Sequence, residues 1–213
     1  GLLFADDRYS NADVMLRDAD TAMYYAKDKG KGRYEVFDSS MHKKVQDAIQ
    51  LEADIRIGIE KREFAPHFQP LINLESGKLI GFEALARWNS STRGFVFPSD
   101  FIQLAEETGL IVDIDLMILE AGVAQLKQWQ VEFNNPSLYL SSNLFCSHFY
   151  SKDIIHFIDK VLKKYDLSPE CLRVELTERA LIDNAHIVLR NLKMLKKVGI
   201  KILLDDFGTG YSS

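Results

Sequence analysis

The run Ile200-Lys201-Ile202-Leu203-Leu204-Asp205-Asp206-Phe207-Gly208-Thr209-Gly210-Tyr211-Ser212-Ser213 decides the fold. Its first half is apolar enough for a buried strand, two carboxylates follow side by side, and a Gly-Thr-Gly turn comes next. A buried strand that ends in paired acids and then bends presents metal ligands at the mouth of an α/β barrel. On a straight strand Asp205 and Asp206 face opposite sides, and Gly208 and Gly210 permit the bend that brings both to one site. Carboxylates so close repel one another unless cations sit between them.

Working outward, the spacing predicts further strands at Ala65–Leu74, Leu79–Trp88, Leu138–Asn143 and Leu172–Thr177, with the last at Ile200–Asp205. Helical stretches fall near Pro98–Glu107, Val112–Glu132, Lys152–Tyr165 and Asn184–Val198. Gly77 belongs in a hairpin turn between the first two strands. The later elements alternate strand and helix, which argues for an α/β domain with a parallel sheet. Ahead of this lies a unit of different pattern. Asn11 or Asp13 can cap a helix carrying Val14, Leu16, Ala19, Ala22, Met23 and Ala26, and Arg33-Tyr34-Glu35-Val36-Phe37 alternates like a strand. One helix and one strand cannot make a core, so residues 1–38 read as the tail of something larger. Ser40–Lys61 reads as a charged amphipathic helix connecting the two parts, giving domains at 1–38, 39–62 and 63–213.

Composition narrows the function. The chain has 213 residues, 46% hydrophobic, and a formal net charge of −5. That mildly acidic balance gives no general affinity for nucleic acid polymers or anionic membranes, so a phosphate-bearing ligand must be held locally by metal or by particular Arg and Lys residues. Cys146 and Cys171 lack metal-ligand spacing and read as reduced thiols of a cytoplasmic protein. No apolar run approaches the ~18 residues that span a membrane. No membrane contact is expected of this segment, though upstream segments of a parent protein could anchor it.

Three strands carry further candidates. In Gly81-Phe82-Glu83-Ala84-Leu85-Ala86-Arg87-Trp88, alternation places Glu83, Leu85 and Arg87 on one face. Glu83 and Arg87 lie about 13 Å apart at ~3.3 Å per residue, so they can serve one extended ligand, acid at a metal and guanidinium at a phosphate. A surface salt-bridging strand is the alternative for this segment alone. In Leu172-Arg173-Val174-Glu175-Leu176-Thr177, the leucines and Val174 share one face while Glu175 and Thr177 share the other, and an acid so placed is costly unless paired or metal-bound. Asn143 ends another strand, and by itself reads as a turn or capping residue. Glu83, Asn143, Glu175, Asp205 and Asp206 together form an oxygen-rich set that suits magnesium or manganese better than zinc.

With these residues in view, the chain from about Ile49 to Ser213 resembles the EAL family of cyclic di-GMP phosphodiesterases. Glu83-Ala84-Leu85 is the signature tripeptide, extended to Arg87. Phe68-Gln69-Pro70, Pro98 with Phe101-Ile102 and Ala105-Glu106, Asn143, Glu175-Leu176-Thr177-Glu178 and the terminal Asp-Asp-Phe-Gly run follow in the family's order. Ala19-Asp20-Thr21-Ala22-Met23-Tyr24, Ala26-Lys27 and Gly30-Lys31-Gly32-Arg33 resemble the last helix and closing strand of a GGDEF domain, without its nucleotide site.

The resemblance implies an EAL-type TIM barrel with an antiparallel first strand, incomplete in this chain, preceded by a C-terminal GGDEF remnant. It implies bacterial second-messenger signalling through hydrolysis of cyclic di-GMP to linear pGpG with two divalent cations, Mg or Mn. Carried over by position, Glu83, Asn143, Glu175 and Asp205 hold the first metal, Asp205 bridges to the second with Asp206 beside it, and Glu83, Asp205 and Asp206 form the catalytic set. Gln69, Leu85 and Arg87 bind the dinucleotide, and Glu178 braces the loop after Asp206. Phe145 stands where the family commonly has Ser, which implies altered local packing there. A barrel of this class needs about 250 residues. The family's later Lys and Glu fall after Ser213, so hydrolysis is expected of the parent, a homodimer, and little or none of this stretch alone. A catalytically inactive EAL domain acting as a cyclic di-GMP receptor or regulatory module is the alternative. A third reading, an unrelated enolase-like metal barrel, is disfavoured by the adjacent Asp pair and by Gln69 and Arg87.

Overall fold

A computed structural model describes residues 1–4, 11–28, 32–177 and 185–205. The chain divides into two compact units, Gly1–Asp54 and Ile55–Ser213. In the first, helix α1 spans Ala12–Asp28, and the Asn11 side-chain oxygen accepts the Asp13 N–H at 2.9 Å, capping it as the sequence suggests. Ala22 and Ala26 form its buried stripe. The strand expected at Arg33–Phe37 is not formed as such. Val36 makes a single parallel bridge to Leu2, with Leu2 N–H donating to Glu35 and Phe37 N–H donating to Leu2, both at 2.8 Å. A lone pair of short strands has too little surface to sustain a sheet. Helix α2 follows at Ser40–Glu60.

In the second unit the described strands are β1 Phe64–Ile72, β2 Leu79–Ser90, β3 Gly94–Val96, β4 Tyr139–Asn143, β5 Leu172–Thr177 and β6 Lys201–Asp205. Their order is β1-β2-β4-β5-β6, with β3 paired to the end of β2. β1 runs antiparallel to β2, whereas the β2–β4, β4–β5 and β5–β6 pairs are parallel, so the first strand is reversed as expected. Among the described residues the sheet is open, not closed into a barrel. The β1–β2 turn is built by Asn73, whose side-chain oxygen accepts the Ser76 N–H at 2.9 Å, and by Gly77 at φ 64°, a left-handed conformation that Gly adopts without Cβ strain. Sequence spacing did not indicate β3, whose three residues are too few to show a period.

Helices α3 Pro98–Thr108, α4 Ile111–Glu132, α5 Asp153–Lys164 and α6 Ala185–Lys197 alternate with the parallel strands. α4 packs on β1, β2 and β4, and its Trp129 ring lies 4.2 Å from Phe82 and 4.8 Å from Phe68. A second aromatic group, Phe64, Trp88 and Phe101, closes the core near the end of β2. Leu140, Leu172, Val174 and Leu176 are fully or almost fully buried. Each such side chain contributes about 1.5–3 kcal/mol on leaving water. Among the described residues, no helix is long and apolar enough to cross a membrane.

Candidate active site

Register assigns the site residues to a face. Gln69 lies opposite Glu83, Glu83 beside Ser141, Asn143 beside Glu175, and Asp205 beside Thr177. Neighbours in register point the same way, so Gln69, Glu83, Leu85, Arg87, Asn143, Glu175 and Asp205 share one side of the sheet. The other side carries Phe82, Ala84, Leu140, Val174 and Leu176, the layer that the helices cover. Asn143, Thr177 and Asp205 are the last residues of three parallel strands, so the polar set gathers at their C-terminal ends.

Two hydrogen bonds organise it. Asn143 Nδ2 donates to Glu83 Oε1 at 3.0 Å. The Ser141 hydroxyl donates to Glu175 Oε1 in a short bond. Burial pushes the Glu175 carboxyl above its ordinary range. The Ser141 bond opposes this, the negative charges of Glu83 and Asp205 add to the rise, and Arg173 pulls it back. Three carboxylates and a carboxamide thus sit on adjacent strands, two of the acids working electrostatically against a third. That is a donor set of hard oxygens whose repulsion a divalent cation relieves, and its chemistry fits such an ion. Among the described residues no three acids, histidines or cysteines converge tightly enough to form a metal cluster. Glu83 and Glu175 are engaged by Asn143 and Ser141 instead.

Toward the other end of the strands the same face has a floor. Gly81 lies beside Tyr139, and a Cβ on it would sit 2.4 Å from the Tyr139 carbonyl oxygen. The Arg173 guanidinium stacks 3.2 Å above the Tyr139 ring. Gln69 and Asn143 are exposed, and Glu83, Leu85, Arg87 and Glu175 are half-buried. Arg87 Nη1 donates to the carbonyl of Ala86 at 2.8 Å, folded along its own strand. Asp206 and Glu178 lie outside the described residues.

Sequence reasoning missed Ser141, Tyr139 and Arg173. The signal was present: Tyr139 and Ser141 alternate in step with Asn143, and Arg173 in step with Glu175. It also missed Asp115, a buried acid on α4 whose Oδ2 accepts the Phe145 N–H at 2.9 Å.

Against known proteins, the EAL domain profile matches residues 52–213. The chain is 36% identical over 211 residues to the bifunctional diguanylate cyclase/cyclic di-GMP phosphodiesterase MucR of Pseudomonas aeruginosa, covering 99% of this chain and 30% of that protein. It is 34% identical over 213 residues to the cyclic di-GMP phosphodiesterase PdeR of Escherichia coli, covering 100% and 32%. It therefore spans about a third of the length of these curated relatives. Among solved structures, the PaMucR phosphodiesterase in complex with c-di-GMP matches at 35% identity and a TM-score of 0.70, over 77% of this chain and 66% of that one. The EAL enzyme Bd1971 with cAMP and cyclic-di-GMP bound matches at 28% identity and a TM-score of 0.73, over 96% and 54%. The order of the motifs, the reversed first strand and the match over residues 52–213 agree, and the chain belongs to the EAL-domain family, related to cyclic di-GMP phosphodiesterases.

Proposed function

We propose that this chain is the larger part of the catalytic domain of a metal-dependent phosphodiesterase that hydrolyses cyclic di-GMP to linear pGpG. The observation that carries this reading is the placement of Glu83, Asn143, Glu175 and Asp205 on one face of neighbouring strands, with Asn143 and Asp205 at the C-terminal ends of theirs. Glu83, Asn143, Glu175 and Asp205 would hold divalent metal, Mg or Mn, with Asp206 beside them. When bound, two such ions supply Lewis-acid polarisation of the phosphoryl oxygens and a more acidic water.

The chain's own residues do the rest. Arg87 turns from the Ala86 carbonyl toward a phosphate, Gln69 and Leu85 line the same face, and Glu178 braces the loop after Asp206. Residues 1–38 are the end of a GGDEF domain and residues 39–62 a helical connection to the EAL portion at 63–213. The match to a bifunctional cyclase/phosphodiesterase over nearly the whole chain supports that order. The parent works in the cytoplasm as a homodimer.

The test is incubation of cyclic di-GMP with Mn²⁺ or Mg²⁺ and the protein, both as the 213-residue chain and within its complete reading frame. The complete protein is expected to yield pGpG, and the isolated chain little or none because its sheet is open. Binding of cyclic di-GMP without turnover by the complete protein overturns the enzyme reading in favour of a receptor.

A further inference from the structure

The segment that follows Asn143 is tied down on three sides, two of them by groups that take no part in the site described above. Leu144 N–H donates to the Glu175 carbonyl at 3.1 Å. Phe145 N–H donates to Asp115 Oδ2 at 2.9 Å, and His148 Nε2 lies 3.1 Å from the same oxygen. Residues Cys146–Tyr150 form a short 3-10 turn that presents His148 back to α4. Beyond it, Asn191 of α6 donates to the carbonyls of Phe149 and Ser151, both at 2.8 Å.

Every side chain in this clasp is buried. The side chains of Asp115 and His148 are 11% and 3% exposed, and Asn191 is wholly buried. Asp115 stands between Ile114 and Leu116 in an otherwise apolar stretch of α4, where Asp113 is exposed. A carboxylate in such surroundings costs several kcal/mol unless its hydrogen bonds are met, and truncating one partner of a buried pair leaves the other uncompensated. An interior carboxylate kept at that cost, with a backbone N–H and a histidine as its partners, restrains the main chain that it holds. That main chain begins two residues after Asn143, whose carboxamide must point at Glu83.

We infer that Asp115, braced by His148, is a positioning residue for Asn143: by holding the Phe145 amide it fixes the direction in which the Asn143 side chain leaves β4. It touches neither ligand nor reacting atoms and acts through the backbone. The inference rests on the proposed function only for the role given to Asn143.

The test uses the full chain, isotopically labelled, and reads the Asn143 side-chain NH₂ resonances, assigned by their loss in Asn143→Asp. Asp115→Ala is expected to shift or broaden those signals well beyond the change caused by Phe101→Leu, a core substitution outside the clasp. Asp115→Asn, which keeps an oxygen for the Phe145 N–H, is expected to return them close to wild type. Should Asp115→Ala fail to fold, His148→Ala carries the same comparison. Asn143 signals that stay in place in the alanine variant, or an Asn variant indistinguishable from Ala, overturn the inference. The readout needs no ligand or cation, so a protein that neither binds nor cleaves cyclic di-GMP would sink the functional reading and leave this result standing. In the complete protein, Asp115→Ala is also expected to lower kcat about tenfold or more with KM near wild type, since small misplacements of a ligand are costly. An unchanged kcat overturns the positioning role.

Discussion

Asn143 Nδ2 donates to Glu83 Oε1 at 3.0 Å, joining the end of β4 to the interior of β2 across 60 residues of chain. The bond orients an amide oxygen and a carboxylate toward the same space. Asn143→Asp sets a second negative charge against Glu83, where like charges destabilise. The variant is expected to melt about 2–4 °C lower without divalent cations, corresponding to roughly 1 kcal/mol. Manganese should restore more of that loss than it adds to wild type, as read by thermal unfolding with and without the ion.

Ser141 and Glu175 give a pH prediction. The Glu175 carboxyl titrates above its ordinary value, chiefly through burial. A carboxyl whose folded value is raised contributes stability at pH below its unfolded value, 4.5, and loses it as pH rises through the folded one. Ser141→Ala removes the donor that favours the carboxylate, so the titration should move higher still. Glu175→Gln should flatten this part of the stability profile. Carbon-13 carboxyl titration of the cation-free chain and denaturant melts at several pH values check both.

Glu63 shows the opposite sign. It accepts from the buried Trp88 indole N–H at 3.1 Å and from Ser91 N–H at 3.2 Å. Hydrogen bonding from the Ser91 side chain, reinforced by the Trp88 indole and the Ser91 N–H, holds its carboxyl below 4.5 even though burial, the second-largest influence, pushes the other way. Its contribution is therefore present above pH 4.5 and lost as pH falls through the folded value. Glu63→Ala orphans the Trp88 N–H and is expected to cost about 1–3 kcal/mol, with Glu63→Gln milder because it keeps an acceptor. Urea unfolding followed by Trp fluorescence separates the two.

Gly81 lies where β2 passes closest to Tyr139. A Cβ there meets the Tyr139 carbonyl oxygen at 2.4 Å and the ring at 2.9 Å, and backbone cannot give way as a flexible side chain does. Gly81→Ala is expected to destabilise the domain by about 3 kcal/mol, at the top of the overpacking range. Circular dichroism melts measure the loss, and an unchanged midpoint would contradict the packing described.

Arg87 supplies the ligand test. Arg87→Ala removes the only guanidinium on the Glu83 face of β2, and cyclic di-GMP affinity is expected to fall about tenfold, the equivalent of one charge-assisted hydrogen bond. Arg87→Lys should recover part of it, because an ammonium retains the charge without the planar fork. Titration calorimetry with Ca²⁺ in place of Mg²⁺ or Mn²⁺ is a suitable measurement.

Legibility in the sequence followed the physics of each element. β2 and β5 were readable because alternation with period two persists for six residues or more, and α4 because its apolar positions recur over 22 residues. β3 has three residues and the Cys146–Tyr150 turn five, both too short for a period to show. The Arg33–Phe37 run alternates correctly yet pairs only at Val36, since alternation states which residues can share a face and not whether a partner strand exists.

Residue identity and spacing alone were enough to read which side chains offer oxygen donors, the order in which strands present them, and the family to which that order belongs. These are local matters, set by residue type and by a two-residue period. Tertiary structure alone decided that Asn143 meets Glu83, that Ser141 engages Glu175, that Arg173 stacks on Tyr139, and that Asp115 holds the backbone after Asn143. Each contact joins residues on different elements, and its existence depends on strand register and helix packing, which no single segment of the chain encodes.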